Sequence, residues 1–212
     1  MGNLEQAFPA GFFARDDESD DGRFYAAPRL VTHLDDGAIA AVGEVYAELV
    51  TGPRVLDFCS SWVSHFRAPP TRLTVLGMNE AELAANPVAV DRAVRDLNVD
   101  PSFPFDDDAF DDAVCCVSID YLTQPVTVLA DLARVVRPGG RVVLTWSNRC
   151  FPTKAVHGWL ATPEAGRPHI VEAYLAAAGG WEPATSRTVL GERRSRASPD
   201  PLWATWATRA AG

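Results

Sequence analysis

Several absences narrow the reading before any motif is considered. No run of about 18 apolar residues occurs, so no membrane-spanning helix is expected. There is no C-x-x-C pair. The four Cys follow no spacing pattern and the four His are scattered, which argues against a structural zinc site. Unpatterned cysteines fit a reducing compartment. Cations are few and unclustered: 19 Lys and Arg stand against 28 Asp and Glu, for a formal net charge of -9. Binding phosphate backbones or anionic lipid needs clustered cations, so neither nucleic acid nor a membrane is an expected partner. The opening residues MGNLEQAFPAG lack a basic segment followed by an apolar one, so no signal peptide is expected. Gln6 breaks the myristoylation pattern that Gly2 would begin. The expected location is cytoplasmic. Finally, DFCSSWVS, after the first strand-like run, holds no glycine, whereas a nicotinamide-dependent oxidoreductase would want G-x-G-x-x-G there.

What is present suits one soluble α/β domain over 1–212: 47% of residues are hydrophobic and 22% charged, normal for a globular protein. Ten carboxylates lie in DDESDD (16–21) and FDDDAFDD (105–112), which read mostly as solvated loop faces. Cys115 and Cys116, inside an apolar run, resemble small buried hydrophobes. Ile39, Val42, Tyr46, Leu49 and Val50 recur at helical spacing. Asp35 or Asp36 can cap that helix, and Gly52-Pro53 ends it. The chain then alternates. RVLDF (54–58) is a strand, SWVSHF (61–66) a short helical turn, and RLTVLGM (72–78) a second strand. NEAELAAN is a helix, AVRDLN (93–98) a third strand and DDAVCCVSI (111–119) a fourth. The helix VTVLADLARVV (126–136), ended by Pro138-Gly139-Gly140, precedes the fifth strand RVVLTWS (141–147). A helix within 166–180 follows. The strands WEPATSRTVL and PLWATWATR come last, separated by the polar loop GERRSRASPD.

Alternation with continuous apolar strands predicts a doubly wound, mostly parallel sheet covered on both faces. The last two strands, with no helix between them, add an antiparallel C-terminal edge. In such sheets ligands bind at the carboxyl ends of the strands, beside the switch in strand order. Here those ends are all polar: Asp57 to Ser61, Gly77 to Glu80, Asp96 to Asn98, Ser118 to Tyr121, and Trp146 to Arg149. Five polar ends in series point to a cofactor pocket.

These residues carry a resemblance. DFCSS, then GMN about 20 residues on, then RDLN, FPFDDDAFDDAVCCVSIDYL and LARVVRPGGRVVLTWSN are similar to the class I S-adenosylmethionine-dependent methyltransferases, type 11-like. The L-P-F…F-D phrase of that group is matched by Phe103-Pro104-Phe105 with Phe110-Asp111, and Arg137 to Arg141 is the sharpest match. The resemblance covers roughly residues 50–150. It implies a Rossmann-like, seven-stranded fold with S-adenosylmethionine as cofactor and S-adenosylhomocysteine as product. It further implies a cofactor-binding core at 51–150, an N-terminal helical extension or cap at 1–50, and a substrate loop with final strands at 151–212. By resemblance Asp57 is the acid of a D-x-G-x-G motif, with Cys59 and Ser61 where glycines belong and Ser60 between them. Asn79, after Met78, stands where an acid holds both ribose hydroxyls, and Glu80 or Glu82 could substitute. Asp96, Leu97 and Asn98 match the segment beside the adenine, and Ser118 to Tyr121 the stretch facing the transferred methyl.

The departures leave three readings of the first loop: a cofactor loop rebuilt with hydroxyls that donate to a carboxylate, a degenerate loop, or an ordinary turn. A Cys or Ser at positive φ costs about 1–2 kcal/mol relative to Gly. Methyl transfer needs alignment of an attacking atom and exclusion of water, and a base only for a protonated nucleophile. The base candidates are His33, Tyr25 and Tyr121, although His33, before a helix start, also reads as a capping or packing residue. Trp146 could stack on a flat substrate or fill the sheet end, and Cys150 reads as a loop residue. Phe151 and Trp159, in the loop 151–168 between the fifth strand and the next helix, would suit a small, partly apolar acceptor. Arg29, Arg149 and Lys154 read as isolated cations. The sequence thus supports methyl transfer to a small-molecule acceptor by a monomer or homodimer. The alternatives are different chemistry on the same scaffold, or a binding partner that has lost the cofactor.

Overall fold

The computed structural model describes residues 4–191 and 198–211. Within the polar loop GERRSRASPD, residues 192–197 lie outside the described residues. Seven strands form one sheet in the order β3-β2-β1-β4-β5-β7-β6. They are β1 (Arg54–Phe58), β2 (Arg72–Gly77), β3 (Asp91–Val94), β4 (Phe110–Cys116), β5 (Val136–Trp146), β6 (Thr185–Leu190) and β7 (Leu202–Thr208). β1 to β5 pair in parallel, while β7 runs antiparallel to both β5 and β6 and so leaves β6 at the edge. The order reverses between β1 and β4, and this switch point is where such a sheet opens a crevice.

The strand pleat sorts the core. Leu56, Phe58, Cys115, Val142, Leu144 and Trp146 face one side, against α4 (Pro125–Val135) and α6 (Arg167–Ala178). Val55, Val75, Val114 and Val143 face the other, against α2 (Asp36–Leu49). α2 begins where predicted: Asp35 accepts from the Ala38 N–H at 2.9 Å. Asn79 caps the short helix α3 (Glu80–Ala85) in the same way, taking the Glu82 N–H at 3.1 Å.

Four expectations are corrected. No helix follows β1. SWVSHF is irregular, because the Ser60 and Ser64 hydroxyls bond Asp57 instead of leaving the backbone free to coil, and Pro69-Pro70 close the segment. The third strand is Asp91–Val94, not Ala93–Asn98, because Asp96 takes the Asn98 N–H and turns the chain. The fourth strand stops at Cys116, since Val117 adopts φ +45. The fifth begins at Val136 and runs through Pro138-Gly139-Gly140.

The acidic runs are likewise less solvated than expected. Asp112 accepts the N–H groups of Thr51, Gly52 and Arg141 at 2.8–2.9 Å. Asp111 bridges Arg54 and Arg137 at 2.9 and 2.8 Å, and the Arg54 guanidinium leads in holding its carboxyl down at about 2. In the first run Asp21 is buried. Burial pushes its carboxyl up, but bonds from Arg15, Asn98 and Lys154 outweigh that and leave it lowered.

These contacts fasten the N-terminal segment to the sheet. The fully buried Lys154 lies 2.9 Å from Asp21 and 3.1 Å from Asp17, and it donates to the Ser19 carbonyl at 2.8 Å. Ahead of it, Phe8, Phe12 and Phe13 cluster on Tyr174 of α6. The Phe12 ring lies so close to Gly158, in α5 (His157–Ala161), that a Cβ there would meet ring carbons at 2.3 Å. The helix α1 (Asp21–Phe24) then leads the chain across the carboxyl end of the sheet.

Candidate active site

The carboxyl ends of β1, β2 and β4 open into a cavity of about 540 Å³. That lies within the range of about 300–1,000 Å³ usual for small-molecule sites. Of the residues that the resemblance links to the cofactor, Asp57, Cys59, Ser60, Ser61, Met78, Asn79, Asp96, Leu97, Asn98 and Ser118 border it, as do all three base candidates.

The floor is the loop after β1. Cys59 has φ +53, so the left-handed backbone of the glycine position is kept although the residue has a side chain. The Ser60 N–H donates to the Leu76 carbonyl at 2.8 Å, laying the loop across the end of β2. The approach is close enough that a Cβ on Gly77 would sit 2.2 Å from the Ser60 oxygen. Ser60 Oγ donates to Asp57 at 2.8 Å and Ser64 Oγ at 2.5 Å, both to Oδ2. Ser61 Oγ donates to Glu82. Each hydroxyl therefore gives its one proton to a carboxylate of the protein. Burial pushes the Asp57 carboxyl up to about 6, against the lowering effect of Ser64 and Ser60.

At the end of β2, Asn79 is fully occupied. Its oxygen caps α3, and its Nδ2 donates to the carbonyls of Tyr25 and Ala26 at 2.9 and 3.2 Å. Glu82 accepts the Arg29 N–H at 2.6 Å. Glu80 is exposed and stands outside the cavity wall. Beyond β3, burial raises the Asp96 carboxyl, and Leu97 packs into the core. Asn98 is a hub: it donates to Asp21 and to the Tyr121 carbonyl at 2.9 and 3.0 Å, and accepts the Thr123 N–H at 2.8 Å.

After β4, Ser118 Oγ donates to the Cys116 carbonyl at 3.1 Å. The Tyr121 oxygen accepts the Phe151 N–H at 2.8 Å, so its own proton stays available to donate. Burial raises the Tyr121 and Tyr25 hydroxyls, keeping both protonated. The His33 ring lies 5.2 Å from that of Phe151. Burial first, then Arg29, lowers its pKa, which leaves a neutral imidazole at pH 7.

Trp146 and Trp159 are both buried and pack edge to face at 5.9 Å beneath the site, outside its wall. The choice left open for Trp146 falls to filling the sheet end, whereas Phe151 does border the cavity. So do Cys116 and Cys150, all four Cys being free thiols.

Sequence reasoning missed part of the wall. Trp62 and His65 sit in the segment read as helical, and Trp62 Nε1 donates to the Val31 carbonyl at 3.1 Å. Arg29 and Arg149, read as isolated, border the same cavity. Arg149 was legible at a strand end. No local signal could have placed Arg29, whose backbone partner Glu82 lies more than 50 residues away.

Among the described residues, no helix is long and apolar enough to cross a membrane. Also among them, no three of His, Cys, Asp and Glu gather as a metal site.

The fold is that of the class I methyltransferases. A SAM-dependent methyltransferase from Thermotoga maritima, described as a possible histamine N-methyltransferase, has a TM-score of 0.63 at 14% identity, covering 81% of this chain and 89% of that one. The [4+2]-cyclase SpnF has a TM-score of 0.57 at 17% identity, covering 92% and 86%. A Haemonchus contortus phosphoethanolamine N-methyltransferase, solved with S-adenosylhomocysteine, has a TM-score of 0.56 at 12% identity, covering 83% and 53%. No curated protein matches the chain in sequence. Residues 63–144, less than half of the chain, are similar to the family model described as a methyltransferase domain. The match begins just after the glycine-free loop. Together the family match and the fold support an S-adenosylmethionine-dependent methyltransferase with S-adenosylmethionine as its cofactor.

Proposed function

We propose that the protein transfers the methyl group of S-adenosylmethionine to a small-molecule acceptor bound under the N-terminal segment. The carrying observation is the cavity of about 540 Å³ at the switch point, bordered by residues from each of the four strand ends that the resemblance links to the cofactor. The cofactor fits on one further ground: Cys59 keeps the glycine-type backbone at φ +53. Asp57, Cys59, Ser60 and Ser61 would form the floor under its amino-acid end. Met78 and Asn79 would flank the ribose, with Glu82 behind them. Asp96, Leu97 and Asn98 would border the adenine, and Ser118 the methyl. When bound, the sulfonium supplies an already activated methyl group. The chain's own work is to position the acceptor and exclude water. His33, neutral at pH 7, can take a proton from the acceptor, and Tyr25 and Tyr121 can donate hydrogen bonds to it.

Incubation with methyl-tritiated S-adenosylmethionine and a small-molecule extract tests this. Label should appear in the small-molecule fraction. Label confined to protein or nucleic acid, or absent, contradicts it. One feature favours a second reading. Because the serine hydroxyls donate inward and the loop has no glycine, the scaffold could hold the cofactor without transferring its methyl. The fold is shared with a protein described as a [4+2]-cyclase, so the fold alone does not fix the reaction. Cofactor binding without transfer to any acceptor supports that reading.

A further inference from the structure

The end of the cavity under the N-terminal segment carries cations that the sequence scatters 120 positions apart. Arg29 and Arg149 both border it, and both act on the imidazole of His33. The Arg29 guanidinium lies against three rings, with Cζ 4.6 Å from the Phe24 centroid, 5.5 Å from Tyr25 and 5.7 Å from Phe151. Its Nη2 donates to the Phe24 carbonyl at 2.6 Å, while Nη1 is shielded from solvent and has no partner. Among the described residues, its guanidinium makes no ion pair with a carboxylate; Glu82 meets only its backbone N–H. A guanidinium held this way has donors to spare and no counter-charge. Arg149 is more than half exposed, and its ion pair to Asp200, at 3.9 Å, is too long and open to hold it. The acids that border the cavity have other partners: Asp21 is committed to Arg15 and Lys154, Asp57 and Glu82 take the serine hydroxyls, Glu82 also takes the Arg29 backbone N–H, and Asp96 accepts the Asn98 N–H.

Resting on the methyltransferase reading, we infer that the acceptor is an aromatic carboxylate, its carboxyl group held by Arg29 and Arg149 and its ring lying against Phe151 and Tyr25. Guanidinium forks match planar carboxylates, and the ring walls favour a flat apolar body.

The test uses the full chain with S-adenosylhomocysteine present and, separately, absent. The probes are benzoate, phenyl phosphate and benzylamine, titrated by calorimetry and followed through the His33 imidazole signals in NMR spectra. Benzoate should bind, benzylamine should not, and phenyl phosphate should bind more weakly than benzoate. Arg149→Glu, which reverses the charge at a side chain more than half exposed, should weaken benzoate about tenfold or more while leaving S-adenosylhomocysteine affinity unchanged. Arg29→Lys should weaken it as well, because an ammonium cannot reproduce the fork. No benzoate binding at millimolar concentration, equal binding of benzylamine, stronger binding of phenyl phosphate, or insensitivity to Arg149→Glu each overturns the inference. Failure of S-adenosylhomocysteine to bind while benzoate binds would count against the methyltransferase reading instead, so the two failures are distinct.

Discussion

Asp57→Asn should make the protein more stable at neutral pH, and the size of the gain can be worked out. The carboxyl is buried, and its pKa is pushed from 3.8 to about 6 by burial. A group that binds its proton more tightly when folded contributes stability that is fully present below the unfolded pKa, near 4. That contribution is lost as pH rises to the folded pKa, near 6. At about 1.36 kcal/mol per pH unit, the displacement corresponds to roughly 3 kcal/mol. Asparagine carries no charge, and its amide oxygen can accept the Ser60 and Ser64 hydroxyls as Asp57 Oδ2 does now. Other titrating groups cancel in the comparison of variant with parent. Urea unfolding at pH 4, 5, 6, 7 and 8 should therefore give a stability difference that grows in favour of the asparagine variant by roughly 2 kcal/mol between pH 4 and pH 6 and by less than about 0.5 kcal/mol from pH 6 to pH 8. A difference that does not change with pH, or that grows in favour of the aspartate, would refute the assignment of Asp57 as a desolvated carboxyl.

Two further outcomes are expected. At Cys59 the usual ranking of alanine over glycine should invert, with Cys59→Gly more stable than Cys59→Ala by about 1 kcal/mol, because only glycine takes φ +53 without strain. Thermal unfolding of the pair checks this, and an alanine variant at least as stable would refute it. Lys154→Met should leave Asp17 without an ion-pair partner and Asp21 with Arg15 alone as its cation, at a cost of about 3–5 kcal/mol. The loss should show as faster proteolytic cleavage within residues 4–33 and a lower Tm. Cleavage unchanged from the parent would mean that Lys154 is not the anchor of that segment.

The sheet was legible because its strands are continuous apolar runs and its covering helices are periodic and capped. The residues at the strand ends were legible for the same reason, since topology alone gathers them at one edge. The exceptions have physical causes. β3 lies at the sheet edge and is largely exposed, so the more apolar stretch just beyond it drew the assignment. The segment after β1 lost its helix to serine hydroxyls that bond a carboxylate three to seven residues away. The acidic run at 16–21 looked like a solvated face because the cation it meets, Lys154, lies more than 130 residues on. The roof of the cavity was hidden likewise, being built from backbone groups of residues 25–31 that bond Trp62, Asn79 and Glu82. Such contacts leave no mark on local composition.

The most direct measurement is a calorimetric titration of the protein with S-adenosylhomocysteine, repeated on Asp96→Ala. The account predicts micromolar, one-to-one binding to the parent and clearly weaker binding to the variant. No binding to the parent at millimolar ligand, or binding indifferent to Asp96, would contradict it.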